Sequence, residues 1–405
     1  MSEHQRILVI KLGALGDVVL ALGPMAAIRR HHPDAHITVL TTAPYVELLS
    51  RSPYVDEVWT DARPRFWQIG ALRRLRRRLR DAGFARVYDL QTSDRSTFYF
   101  HLLGVGPEWS GIAPGCSHPH ANPGRDRMHT IDRQAEQLAV AGIASVPAPD
   151  LSWLTADLRR FALASPFALL VPGGAATRPR KRWPVERFAA LAASLVSRGF
   201  QPVILGTAPE QKLADAILAA CPAAHSLVGQ TSFAEIATLA RQARVAVGND
   251  TGPMHLIAAA GCPSVVLFSD DSDPALCAPR GRVSVLRRPD LIELPVADVL
   301  EAAGLLNNRP RSGDRFVVKT SFVASVLVHW RAPMTSGYDR LLPAGLEFVV
   351  DLEPPAAADS AAAKPQDEKQ WETQLVDQGD WDSEKYNGYS LVIPFSLLEA
   401  NCVRR

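Results

Sequence analysis

Cysteine is scarce. Five residues, Cys116, Cys221, Cys262, Cys277 and Cys402, are scattered through 405 positions, with no Cys-x-x-Cys pair and no histidine at zinc-site spacing. An odd number without a framework excludes a disulfide scaffold and points to reduced thiols in a cytosol. A run of eighteen or more uncharged apolar residues is also missing, so no transmembrane helix is expected. The opening residues Met1-Ser-Glu-His-Gln-Arg6 lead directly into a strand pattern, and no signal peptide is expected. Charge of one sign is lacking too: 44 Lys and Arg stand against 42 Asp and Glu, a formal net charge of +2. That balance carries no global signature of a nucleic-acid partner. The expectation is a cytoplasmic protein, with contact to an inner-membrane face left open.

The composition that is present, 47% apolar and 21% charged, is ordinary for a globular chain. Its length exceeds one typical core. From residue 6, short Val/Ile/Leu runs alternate with helical patterns. Strands are expected at Ile7–Lys11, Ile37–Thr41, Glu57–Thr60 and Arg86–Leu90, with helices near 16–31, 43–51, 67–82 and 94–104. After a Pro- and Ala-containing break at 143–158 the alternation restarts. Strands are then expected at Ala168–Val171, Pro202–Leu205, Arg244–Val247 and Ser264–Phe268, and helices at 185–199, 208–220, 232–242 and 296–305. Such alternation specifies parallel strands joined by right-handed crossovers. Three domains are expected: 1–150 and 151–310, each doubly wound, and a small β-rich extension at 311–405. Within the last, Phe316–Trp330 and Tyr386–Phe395 suggest strands and Pro354–Gln370 a linker.

The most informative stretch is Val245–Phe268: a buried strand, a polar turn (Asn249-Asp250-Thr251-Gly252), a short helix and a second strand. In a parallel sheet that turn lies at the carboxyl end of the strands, where ligands bind. Pro253 suits the first helical position, and the free amides of that turn attract anions, diphosphates above all. The residues alone also allow Asp250 as a cap and His255 as a packing residue. Three other segments have the same strand–turn–helix character. Ile7–Pro24 carries Gly13, Gly16 and Asp17. Val171–Phe188 carries Gly173, Gly174, Thr177 and the basic run Arg178 to Arg182, followed by Trp183. Val203–Glu210 ends in a carboxylate that opens a helix.

These four segments resemble glycosyltransferase family 9, the heptosyltransferases of lipopolysaccharide assembly. The pattern Asp-Thr-Gly-x-x-His is complete at Asp250–His255, the Gly-Asp turn stands at Gly16-Asp17, and Thr177 with Lys181-Arg-Trp-Pro184 is similar to the family's phosphate-binding segment. The resemblance covers roughly residues 6–306 and implies a GT-B fold: two Rossmann-like domains facing a cleft. It implies an inverting transfer in which Asp17 is the general base for the acceptor hydroxyl. Asp17 also suits a helix N-terminus by its charge alone. Thr177, Lys181, Thr251, Gly252 and His255 would hold the donor diphosphate without a metal. Asp250 and Glu210 would meet the donor sugar or ribose, although Glu210 equally suits a helix start. Asp89-Leu-Gln91 and Arg95 are similar to the family's acceptor side, so Gln91 and Arg95 would meet a phosphorylated sugar. Met128–Arg133 also has the family's look, without an assigned role.

The resemblance implies an ADP-heptose donor and a glycolipid acceptor, with no cofactor. This chain departs from the family pattern at Ala176-Thr177, where two hydroxyl residues are common, and at Pro172, where histidine is common; both bear on the phosphate grip. Ser269–Asp273 imitates an Asp-x-Asp metal site but follows a strand of the second doubly wound domain, so no metal site is expected. Leu72–Arg80 is an amphipathic basic helix, open to a solvated role or to contact with anionic lipid. Two other functions remain open: a non-catalytic GT-B-fold binding protein, and a transferase or epimerase using another nucleotide sugar.

Overall fold

Apolar residues buried on both faces mark the central strands, as expected of parallel sheets covered by helices on either side. In the computed structural model the described residues are 5–305, apart from 66, 105, 175 and 176, together with short strands between 315 and 404. The first half runs β1 (Arg6–Ile10), α1 (Leu15–Leu20), α2 (Leu22–His31), β2 (His36–Thr41), α3 (Val46–Ser50), β3 (Glu57–Thr60), α4 (Ile69–Asp81), β4 (Arg86–Asp89), α5 (Asp94–Leu103), β5 (Glu108–Gly111), β6 (His118–Pro119) and α6 (Thr130–Val140). The second runs β7 (Phe167–Val171), α7 (Val185–Val196), β8 (Gln201–Ile204), α8 (Gln211–Ala220), β9 (His225–Ser226), α9 (Phe233–Gln242), β10 (Val245–Asn249), α10 (Gly252–Ala259), β11 (Ser264–Phe268), α11 (Pro274–Cys277), β12 (Val283–Arg287) and α12 (Val296–Ala302).

Each half contains one six-stranded sheet, ordered β3-β2-β1-β4-β5-β6 and β12-β11-β10-β7-β8-β9. All pairings are parallel, with β1 between β2 and β4, and β7 between β8 and β10. The two orders are the same once each half is counted from its own first strand. Both therefore reverse direction at one point, β1/β4 in the first sheet and β7/β10 in the second. Loops leaving the carboxyl ends of strands at such a reversal splay apart and open a crevice. The segments that follow β1, β4, β7 and β10, each a loop and the start of the next helix, contain every expected site residue except Glu210, which follows β8.

The core is built by strand alternation. Ile7 and Val9 of β1 bury against Val18, Val19, Leu22 and Ile28 on one side of the sheet. Leu8 and Ile10 bury on the other with Leu79, Tyr99 and Trp109. In the second half Leu170, Val247 and Val265 pack with Phe188, Leu191 and Leu195 of α7. The expected helix over 16–31 is two helices with Ala21 between them. The strands β5, β6, β9 and β12 and helix α6 have no counterpart in the sequence reading. The strands are short, of two to five residues, and so give little local pattern. The break at 143–158 is anchored, because Arg241 donates to the carbonyls of Leu151 and Leu154 at 3.1 and 2.7 Å.

The chain divides into two compact units, Met1–Leu306 and Asn307–Arg405. In the second unit Arg315–Thr320 pairs parallel with Glu347–Leu352 and antiparallel with Val403–Arg404, and Leu327–Val328 pairs with Leu391–Val392. The sequence-expected linker at 354–370 lies outside the described residues.

Candidate active site

The turn after β1 is shaped by a close approach. Gly13 has φ +136°, and a Cβ there would lie 2.8 Å from the Tyr45 ring, so only glycine fits. The chain then enters α1, where Asp17 is the third helical residue and half-buried. Its Oδ2 accepts the Ala14 N–H at 3.2 Å, which orients the carboxylate over the helix start. Lys11, at the carboxyl end of β1, is buried and donates to the Leu90 carbonyl at 3.1 Å. Burial pushes its pKa down, while Asp17 and Asp89 pull it back up. Lys11 is thus a fixed amine in the floor of the turn, within the field of Asp17. Arg133 of α6 also lies in that field, its pKa lowered by burial and pulled up by Asp17.

On the facing half, Asn249 ends β10 fully buried and acts as a stitch. Its Nδ2 donates to the carbonyls of Pro172 and Gly173 at 2.8 and 3.1 Å, and its Oδ1 accepts the Trp183 N–H at 2.9 Å. One side chain therefore ties both ends of the β7–α7 loop to the end of β10. Lys181 Nζ donates to Asp250 Oδ2 at 2.7 Å, and Ser272 Oγ donates to the same oxygen at 2.5 Å. Thr251 is the N-cap of α10 and its hydroxyl makes no capping bond. Pro253 occupies the second helical position, after Gly252, and not the first that the sequence suggested. Trp183 is buried against Phe188 and donates to Leu294, so it packs the start of α7. Thr177 is exposed, and Ala176 lies outside the described residues. Arg182 is tied to the Gly174 carbonyl by a short hydrogen bond.

Glu210 sits under this loop. Its Oε2 accepts from the backbone and hydroxyl of Thr207 at 2.7 and 2.5 Å, and a Cβ on Gly173 would fall 2.9 Å from its side chain. Its helix-start role is therefore fully formed in this state. Ser232, with Glu235, caps α9 as a reciprocal box.

The two halves meet at the starts of α1 and α10. A Cβ on Gly252 would fall 2.7 Å from Leu15 Cβ, and one on Gly16 would fall 2.8 Å from the His255 ring. His255 is 7% exposed, and its Nδ1 has no hydrogen-bond partner. Burial pushes its pKa down to about 4, against the upward pull of Asp250 and Asp17. Burial thus favours the neutral imidazole, in the field of two carboxylates from opposite halves. Asp17, Asp250, Lys181, Thr251, Gly252 and His255 are thereby brought into one crevice. The 128–133 segment supplies a second junction. His129 Nε2 lies 2.9 Å from the Ala278 carbonyl, Thr130 Oγ1 donates to Leu276 at 3.3 Å, and Arg280 pairs with Asp132 at 3.0 Å.

Gln91 and Arg95 follow β4 and have structural partners. Gln91 Oε1 accepts the Leu12 N–H at 2.9 Å, bracing the Gly-Asp loop. Arg95 donates to Tyr99 Oη at 2.6 Å and to the Pro64 carbonyl at 3.1 Å, beside buried Asp61. Asp89, one strand over from Lys11, is fully buried, and burial raises its carboxyl pKa to about 6. Tyr45 was not named from the sequence, and Asn249, Asp89 and Ser272 were named there only as members of their motifs, without the roles that their partners give them. Ser272 belongs to the acidic run that imitates a metal site. The acids of that run are engaged: Asp270 pairs with Arg287, and Asp273 caps α11. Among the described residues no three His, Cys, Asp or Glu side chains are grouped to hold a metal ion.

A crevice at two reversal points, lined by an Asp-Thr-Gly-x-x-His turn and a facing Gly-Asp turn, agrees with the family match. The model of glycosyltransferase family 9 (heptosyltransferase) matches residues 72–286. The chain belongs to glycosyltransferase family 9. It is accordingly a glycosyltransferase of the GT-B fold. It is 28% identical over 297 residues to lipopolysaccharide heptosyltransferase 2 of Escherichia coli K12, covering 66% of this chain and 83% of that protein. It is 27% identical over 297 residues to lipopolysaccharide heptosyltransferase 1 of Pseudomonas aeruginosa, covering 69% and 82%. The solved structure of E. coli ADP-heptose lipopolysaccharide heptosyltransferase II superposes with TM-score 0.63 at 26% identity, over 74% of this chain and 98% of that one. A family 9 glycosyltransferase from Veillonella parvula shares the fold, with TM-score 0.66 at 21% identity, over 76% and 99%.

Proposed function

We propose that this family 9 enzyme transfers a heptose from ADP-heptose to a lipopolysaccharide-core-type glycolipid, with inversion at the anomeric carbon and without a metal ion. The observation that carries the reading is the meeting of Asp17 with the Lys181–Asp250–α10 group across one crevice. The domain at 1–150 is the acceptor side and that at 151–310 the donor side. Asp17, held by the Ala14 amide, takes the proton of the attacking acceptor hydroxyl. On the opposite wall the diphosphate leaves with growing negative charge. Lys181, Thr177, the Thr251 hydroxyl, the Gly252 amide and the positive end of α10 stabilise that charge. Without donor, Lys181 is paired with Asp250; the arriving diphosphate draws the ammonium toward itself and frees Asp250 to accept from sugar hydroxyls. His255 stays neutral and adds no net charge. Glu210 faces the ribose, and Gln91 and Arg95 hold the acceptor side of the turn in place. The ADP-heptose named for the E. coli structure and the names of the curated relatives support the donor and acceptor.

The deciding experiment is Asp17→Asn, followed by mass-spectrometric detection of product and calorimetric binding of ADP. Turnover should fall by about 10²- to 10⁴-fold while ADP affinity is kept. Undiminished turnover would exclude Asp17 as base, and absence of wild-type turnover with every nucleotide sugar tried would favour a binding module. Transfer that is lost with chelator and restored by magnesium would overturn the metal-free reading.

A further inference from the structure

We propose that α4, with Arg63–Arg65 and Trp67–Gln68 of the loop before it, is a docking surface for an anionic lipid bilayer. α4 carries Arg73, Arg74, Arg76, Arg77, Arg78 and Arg80 against a single acid, Asp81. Its leucines face inward: Leu79 is buried and Leu72 and Leu75 are half-buried. Two arginines serve the fold. Arg78 lies over the Trp59 ring at 3.9 Å, and Arg80 donates to the Leu103 carbonyl at 3.1 Å. Arg73, Arg74, Arg76 and Arg77 are exposed and form no hydrogen bond or ion pair among the described residues.

Like charges three and four residues apart on a helix repel. Arg73/Arg77, Arg74/Arg78 and Arg76/Arg80 are such pairs, and none is interleaved with an acid. A helix face meant for water alone mixes both signs. The apolar residues beside this charge are as unusual. Trp67 and Ile69 are each 57% exposed, and Arg65 lies over the Trp67 ring at 5.1 Å. Helical spacing puts Ile69 on the same side as Arg73, Arg76, Arg77 and Arg80. A tryptophan and an isoleucine at one end of an arginine-covered helix match the interface of an anionic membrane, where ring and alkyl groups enter the headgroup layer and guanidinium groups meet lipid phosphates. A nucleic acid would use the charge but not the exposed isoleucine.

The surface borders the crevice. Arg63 donates to the Leu12 carbonyl at 3.4 Å, and Pro64 accepts from Arg95, so the loop before α4 touches the Gly-Asp turn. Bilayer docking would bring Asp17 to a lipid-borne acceptor without a transmembrane anchor. That use rests on the proposed acceptor; the docking itself does not.

The test is co-sedimentation of the full chain with vesicles of phosphatidylglycerol and phosphatidylethanolamine, and with vesicles of phosphatidylcholine alone. Wild type should bind the former, weaken with added salt, and bind the latter little. Each arginine removed should lower the partition coefficient about fivefold, so replacing Arg73, Arg74, Arg76 and Arg77 by Gln should cost about 600-fold. Brominated lipid should quench tryptophan fluorescence in the wild type and less in Trp67→Phe. Circular dichroism and ADP binding establish that each variant is folded. Equal binding by the four-Gln variant, equal binding to both vesicle types, or binding to a polyanion such as heparin with no quenching by brominated lipid would each overturn the proposal. Because no turnover is read, failure here leaves the transferase reading intact.

Discussion

Acidification should destabilise the protein through His255, by an amount that the structure fixes. The ring is 7% exposed, its Nδ1 lacks a partner, and its pKa is pushed from 6.5 to about 4, chiefly by burial. Asp250 and Asp17 oppose that shift and His129 reinforces it. The folded state therefore prefers the neutral ring, while the unfolded chain takes up its proton at the ordinary value. Between these values the unfolded state binds more protons, so stability rises with pH. The contribution is complete above pH 6.5 and is lost as pH falls from there toward 4. By about pH 5 the loss should reach about 2 kcal/mol, and below both values about 3 kcal/mol. His32 is also lowered to about 4, so total acid sensitivity alone does not isolate His255. Urea unfolding of wild type and His255→Asn, each at about pH 7 and about pH 5, does so through the difference of differences. Wild type should lose about 2 kcal/mol more than the variant. Parallel losses would mean that His255 is protonated or solvated in the fold, and the account of a dry, neutral contact between the halves would be refuted.

Lys181→Met should lower kcat/KM by about 10²- to 10³-fold and weaken ADP binding, since it removes the cation and leaves Asp250 facing the diphosphate. Adding Asp250→Asn should recover part of the ADP affinity but not the turnover; full recovery of turnover would assign the charge stabilisation elsewhere. Gly252→Ala places a methyl 2.7 Å from Leu15 Cβ and should force the helix starts apart, costing about 1–3 kcal/mol in urea unfolding. Measured in a Leu15→Gly background, which removes the atom that is met, the cost of Gly252→Ala should largely vanish, and an unaffected single variant would show that the junction yields freely. Trp183→Ala should cost about 3–5 kcal/mol by loss of its packing on Phe188, read as a lower unfolding midpoint with the same m-value. A change below about 1 kcal/mol would mean that Trp183 is not a core residue.

Local chemistry determined much of this protein before any tertiary contact. Continuous apolar runs marked the central strands and the 3.6-residue period marked most helices, because residues such as Leu8–Ile10 and Val245–Val247 are buried on both faces and have no polar alternation to interrupt them. The turn residues Gly13, Asp17, Asp250 and Thr251 stood out in the sequence because four strand–turn–helix segments together resemble one family; each turn alone also allows a plain helix-start role. Strands β6 and β9, two residues each, were not legible, since edge pairing leaves too short a pattern to detect. Partnership was decided only in three dimensions. Gln91 bracing Leu12, Ser272 sharing Asp250 with Lys181, and His255 lying against Gly16 join residues 79, 22 or more positions apart. The closed burial that makes His255 neutral and lifts the Asp89 carboxyl to about 6 exists in no single segment. Sequence carries the intrinsic charge and reach of each side chain. Distance and dielectric, which determine what that charge does, arise only when two chain reversals bring four loops to one crevice.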